Sequence, residues 1–152
     1  MSTSPNRPTP AVPALEQART NYELALAYDP RTVGWPGLHL GRLLYLSNDL
    51  DGAEEAFRAS IATGHAAYAP VASYHLGRLH EELGDTQTAI VAYRQASDCV
   101  DPKQASAAIY KLGCLLEASG EIGAARTAFE RGAAMTNTWY GHLADNALKT
   151  LG

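Results

Sequence analysis

Apolar and small residues recur along the chain with a period of 36 residues. The pair Leu-Gly occurs at Leu40-Gly41 and returns one and two periods later, at 76–77 and 112–113. An alanine followed four residues later by an aromatic residue keeps the same register, first as Ala53 and Phe57 and then at 89/93 and 125/129. Because two landmarks share one spacing, the pattern predicts tandem copies of one structural unit.

Each unit is predicted to be a pair of α-helices separated by an internal stop. The three stops are Asn48-Asp49, Gly84-Asp85 and Gly120-Glu121. Glycine or asparagine tolerates the left-handed conformation that ends a helix, and the following acid favours the N-terminus of the next helix. The apolar spacing predicts first helices over 35–47, 71–83 and 105–119, and second helices over 51–63, 86–99 and 122–135.

A glycine lies in the middle of each predicted first helix, where it costs about 1 kcal/mol relative to alanine. Because glycine recurs at this position in all three units despite its cost, we expect the second helix of each pair to approach the first helix closely there. We expect Ala53 and its equivalents to face these glycines, and Phe57 and its equivalents to fill the space beyond.

Both ends of the chain look like partial units. Residues 14–30 are predicted to form a second helix that lacks its first, and residues 137–151 a capping helix that begins at Asn137. The full repeats are placed at 35–63, 71–99 and 107–135. Residues 1–13 contain four prolines among small polar residues and are predicted to form a disordered tail.

The units resemble the tetratricopeptide (TPR) repeat, whose signature is W-x2-L-G-x2-Y, then A-x3-F and P. The L-G and A-x3-F/Y elements match in all three units. The Trp place holds Gly37, Ser73 and Ile109, and the Tyr place holds Leu44, His80 and Leu116. The related Sel1-like repeat is the alternative. The resemblance implies an all-α, right-handed superhelical solenoid of about eight antiparallel helices.

In TPR proteins, the side of the first helix that faces away from the second helix lines a concave groove that binds peptides. Because successive residues of a helix are 100° apart around its axis, the positions that would line this groove can be assigned in all three units, and they hold aromatic, basic and small side chains. The groove residues so predicted are Trp35, Leu38, His39, Arg42, Tyr45, Tyr74, His75, Arg78, Tyr110, Lys111 and Cys114. Aromatic rings and arginine dominate interface energetics, which favours a protein or peptide partner, and the basic border favours an acidic segment.

The formal net charge of −4 and the lack of a basic cluster argue against nucleic acid as a partner. No apolar run approaches the ~20 residues that span a bilayer, so a membrane partner is not expected either. Cys99 and Cys114 lack metal-binding spacing and predict free thiols in the cytoplasm. His39 and His75 share one repeat position but have no third ligand, so neither a metal nor a cofactor is expected.

No catalytic motif occurs, and no histidine or aspartate is placed in sequence to activate Cys114, so the chain is not expected to be an enzyme. The sequence therefore predicts a non-enzymatic scaffold or adaptor that binds a protein or peptide. Two alternatives stay open: an assembly or secretion chaperone that holds a client segment, and a regulatory or accessory subunit of an enzyme.

Overall fold

The computed structural model describes residues 10–151 of the chain. Within that range the chain forms eight α-helices, no β-strand and a short 3-10 turn at Pro30–Thr32. The helices are α1 Val12–Tyr28, α2 Gly34–Leu46, α3 Leu50–Ala62, α4 Ala69–Leu83, α5 Thr86–Ala96, α6 Pro102–Ala118, α7 Ile122–Ala133 and α8 Trp139–Thr150. The predicted all-α class and the predicted number of helices are confirmed.

The helices group into two compact units that divide within α4, between His75 and Leu76. In the first unit α2 packs against α3 and α1 packs against α2. In the second unit α6 packs against α5, α7 and α8, and α7 also packs against α8. Short loops join α2 to α3 and α6 to α7, as in helical hairpins.

The internal stops adopt the left-handed conformation predicted for them. Asn48, Gly84 and Gly120 have φ angles of 63°, 76° and 80°. In the first two stops the next residue caps the following helix: the carboxylates of Asp49 and Asp85 each accept a hydrogen bond from the backbone N–H three residues on. The stop therefore ends one helix and begins the next within three residues.

The mid-helix glycines lie directly beneath aromatic rings. The pairs are Gly41/Phe57, Gly77/Tyr93 and Gly113/Phe129, and all three rings are fully buried. A Cβ built on these glycines would lie 2.5, 2.8 and 2.5 Å from the nearest ring carbon. The nearest atoms belong to the ring and not to Ala53 or its equivalents, so the aromatic residue itself makes the close contact that the sequence assigned to the alanine.

At the N-terminal end, α1 begins at Val12, two residues before the predicted start. Pro13 occupies its first turn, where the missing N–H would have had no helical partner. Residues 1–9 of the predicted tail lie outside the described residues. Ala18 is the buried residue of this helix, as expected for the alanine of a second-helix motif.

Two other helices begin at residues that the sequence did not assign. The carboxylate of Asp101 caps α6 and Pro102 follows in its first turn, so α6 starts three residues before the predicted position. At α8 the N-cap is Thr138 and not Asn137, because the Thr138 hydroxyl accepts a hydrogen bond from the Gly141 N–H at 3.0 Å.

Candidate functional site

Three of the predicted groove residues share one face of α2, on which Trp35 and Arg42 are exposed and His39 is half-buried. Trp35, His39 and Arg42 fall within about 60° of one another around the helix axis. The Trp35 and His39 rings are stacked, with centroids 5.0 Å apart and planes 9° apart. Trp35 remains 48% exposed, and Arg42 is exposed with no ion-pair partner among residues 10–151. We call these three residues the α2 stripe.

Two residues predicted for the groove are instead buried. Leu38 is 7% exposed and Tyr45 is 8% exposed. Both lie on the same side of α2, about 60–80° around the axis from Trp35. That side of the helix packs into the protein, so the surface available on α2 is narrower than the sequence predicted, and Leu38 and Tyr45 do not line it.

In the part of α4 that belongs to the first unit, the predicted groove residues are half-buried and make ring contacts. The His75 ring stacks on Phe57, with centroids 5.5 Å apart and planes 12° apart. Tyr74 meets the same imidazole edge-on at 5.8 Å. His75 therefore covers the Phe57 ring, which packs on Gly41. The main role of His75 is in packing, and it is not simply part of a basic border.

The second unit places the predicted basic residue Lys111 in a polar network. Its ammonium lies 3.2 Å from Oε1 of Glu81, a residue 30 positions earlier in the chain. The other oxygen of Glu81 accepts a hydrogen bond from the Tyr93 hydroxyl at 2.7 Å. Because the carboxylate neutralises the ammonium, Lys111 offers a partner less positive charge than predicted. Arg78 is half-buried in the same unit.

Tyr110 and Cys114 lie half-buried one turn apart on α6. The Tyr110 ring contacts Phe129 and Tyr140, with centroid distances of 6.0 and 5.8 Å. Burial raises the pKa of the Tyr110 hydroxyl and also raises the pKa of the Cys114 thiol. Cys114 is a free cysteine whose surroundings disfavour the thiolate, which is the reactive form.

Residues 71–98 match the family model for the tetratricopeptide repeat. The chain therefore contains a tetratricopeptide repeat at the place of the second predicted unit. Its structure is similar to the crystal structure of MamA, with a TM-score of 0.60 and 24% sequence identity over 80% of this chain and 73% of that chain. No curated protein matches the sequence significantly. The TPR-like helical solenoid predicted from the repeats is therefore confirmed.

The contacts of Glu81 were not predicted from the sequence. A signal was present, because Tyr93 occupies the A-x3-F position that holds phenylalanine in the other two repeats. A buried tyrosine hydroxyl needs a hydrogen-bond partner, and Glu81 supplies it. Tyr140 was assigned only to the capping helix, and nothing in its spacing indicated contact with Tyr110.

Two further features of the described residues bear on the chemistry of the protein. Across residues 10–151, no three His, Cys, Asp or Glu side chains are grouped so that they could hold a metal ion. None of the helices in that same stretch combines the length and the apolar character needed to cross a membrane.

Proposed function

We propose that this protein is a non-enzymatic interaction scaffold of the tetratricopeptide repeat type and that the α2 stripe binds a partner polypeptide. The observation that carries the proposal is an exposed tryptophan stacked on His39, with the exposed Arg42 on the same face. The proposal includes the organisation of the chain into three full repeats with partial units at both ends.

The Trp35 side chain supports binding because it is already ordered and still half exposed. Stacking on His39 restricts the indole before a partner arrives, which lowers the entropy cost of binding. Covering its exposed half would remove roughly 100 Å² of mostly apolar surface from water, worth at most about 2.5 kcal/mol. Tryptophan is among the residues most enriched in binding hot spots.

Arg42 supports an acidic partner segment. Its guanidinium can form two parallel hydrogen bonds with a side-chain or C-terminal carboxylate. The preference for an acidic segment rests mainly on Arg42, because Glu81 already neutralises Lys111.

The two cysteines support a binding role in a reducing compartment such as the cytoplasm. Both Cys99 and Cys114 are free thiols. Burial raises the pKa of Cys114, so the residue suits packing better than nucleophilic chemistry.

A displayed library of random 12-residue peptides, selected on the full-length protein, tests the proposal. We expect the enriched peptides to carry Asp, Glu or a free C-terminus next to an apolar residue. Their affinity, measured by fluorescence anisotropy, should fall about tenfold in Trp35→Ala and in Arg42→Ala, consistent with the loss of an interface hot spot.

Matched controls are Trp139→Ala and Arg126→Ala, which remove an exposed tryptophan and an exposed arginine outside the stripe. Their affinities should equal that of the wild type, and circular dichroism should show that all four variants fold. Enriched peptides that bind both stripe variants as tightly as the wild type would rule out the α2 stripe as the binding surface.

A further inference from the structure

A cavity of about 150 Å³ lies between α1, α2 and α3 in the first unit. Its floor is apolar and is formed by Leu40, Leu44 and Ala56, which are 2–4% exposed. Leu40 and Leu44 lie about 140–180° around the α2 axis from Trp35. The cavity is therefore on the opposite side of α2 from the stripe and is separate from the proposed binding surface.

The mouth of the cavity carries an excess of negative charge. Glu23 on α1 and Glu55 on α3 line it, both are exposed, and neither has an ion-pair partner among residues 10–151. The cation at the mouth, Arg19, already lies 3.7 Å from the carboxylate of Asp49. Two carboxylates without a counter-charge therefore border an apolar floor.

Tyr22 also lines the cavity and is half-buried. It occupies the A-x3-F position of the N-terminal partial unit, four residues after Ala18. Burial raises the pKa of the Tyr22 hydroxyl, and the negative charge of Glu55 raises it further. The phenol thus stays protonated and offers an electron-rich ring close to a negative carboxylate.

We propose that this cavity binds an arginine side chain of a partner polypeptide. The aliphatic stem of arginine would cover Leu40 and Leu44, while its planar guanidinium donates hydrogen bonds to Glu23 and Glu55. The guanidinium can also stack on the Tyr22 ring. The proposal goes beyond the α2 stripe, since it assigns a second site with the opposite charge preference.

Other side chains suit the cavity less well. An acidic side chain would be repelled by the two carboxylates. A purely apolar side chain would fill the floor but would partly remove Glu55 from water without giving it a hydrogen bond. Lysine matches the charge but is a compact point charge without the planar fork, so we expect it to bind more weakly than arginine.

The test is an NMR titration of the isotope-labelled full chain with the peptide acetyl-Gly-Arg-Gly-amide. The matched ligand is the same peptide with citrulline, which keeps the shape of arginine but carries no charge. We expect the arginine peptide to shift the backbone amides of Tyr22, Glu55 and Ala56 and to bind at least fivefold more tightly than the citrulline peptide.

Variants separate the cavity from general electrostatic attraction. Glu55→Gln should weaken arginine-peptide binding about fivefold, because one of the two proposed acceptors loses its charge. Glu16→Gln removes an exposed charge elsewhere on α1 and should leave binding unchanged. Arg42→Ala should also leave it unchanged, which distinguishes this site from the α2 stripe.

Three results would overturn the proposal: equal affinity for the arginine and citrulline peptides, shifted amides that lie away from the cavity, or undiminished binding by Glu55→Gln.

Discussion

Replacing Gly113 by alanine probes the contact on which each helical pair is built. In an exposed helix this change stabilises a protein by about 1 kcal/mol, because alanine is the better helix former. At Gly113 the new methyl group would lie 2.5 Å from a ring carbon of Phe129. That is about 1 Å closer than ordinary van der Waals contact. We therefore expect the sign of the effect to reverse.

The size of the effect follows from the burial of the ring. Phe129 is 0% exposed, so it cannot swing into solvent to make room, and the strain must be taken up by repacking. Overpacking of this kind costs up to about 3 kcal/mol, against a propensity gain of about 1 kcal/mol. The net loss in the free energy of unfolding should be about 2 kcal/mol, equivalent to a fall in Tm of about 4–8 °C.

Urea denaturation followed by circular dichroism at 222 nm measures this loss. The matched control is Gly123→Ala in α7, where a Cβ would meet nothing within 4 Å. That variant should gain about 0.5 kcal/mol, less than in a helix interior because Gly123 is the second residue of α7. In the double variant Gly113→Ala/Phe129→Leu, the smaller side chain should relieve the clash, so its cost should be less than the sum of the two single costs.

The reasoning would be refuted if Gly113→Ala matched or exceeded the wild type in stability. It would also fail if the two single costs simply added in the double variant. In either case the repeated glycine would not be explained by the aromatic ring that lies above it.

Three further predictions concern the helix ends and the thiol. Ser60→Ala should destabilise the protein by about 1 kcal/mol in urea denaturation, because it removes the 2.6 Å hydrogen bond that the buried Ser60 hydroxyl donates to the Gly34 carbonyl. Hydrogen bonding to Thr88 lowers the pKa of Asp85 in the folded state. The ionised Asp85 carboxylate therefore stabilises the folded protein fully above the pKa that the group has in the unfolded chain, and this stabilisation is lost as the pH falls through the folded pKa. The Tm of the wild type should therefore fall more steeply between about pH 5 and pH 3 than that of Asp85→Asn, and parallel curves would contradict this. The rate at which iodoacetamide alkylates Cys114 can be followed by mass spectrometry. Because burial raises the pKa of the Cys114 thiol, this rate should reach half its maximum at a higher pH than the alkylation rate of glutathione does. An equal or lower midpoint pH for Cys114 would contradict the prediction.

Much of the fold was accessible from sequence because its determinants are local and repeated. The Leu-Gly and Ala-x3-aromatic landmarks predicted all-helical pairs and a close approach at Gly41 and its equivalents. The left-handed stops at Asn48, Gly84 and Gly120 were also predicted, since residues that adopt positive φ are few. The error at the start of α8 arose because the neighbouring residues Asn137 and Thr138 can both serve as an N-cap.

The candidate site was less accessible because exposure depends on the packing of other helices. The 100° step assigned Trp35, Arg42, Leu38 and Tyr45 to one groove. It could not indicate that other parts of the protein cover Leu38 and Tyr45 while Trp35 and Arg42 stay exposed. The pairing of Lys111 with Glu81 joins residues 30 positions apart, and no local period encodes such a contact.

The packing of each aromatic ring against its glycine has a consequence for the folding of the chain. Phe57, Tyr93 and Phe129 each follow their glycine by 16 residues, so the tightest contact of every helical pair closes a short loop. Proteins dominated by such short-range contacts fold in microseconds to milliseconds. During synthesis a hairpin can therefore close soon after its second helix leaves the ribosome, before the next repeat has been translated.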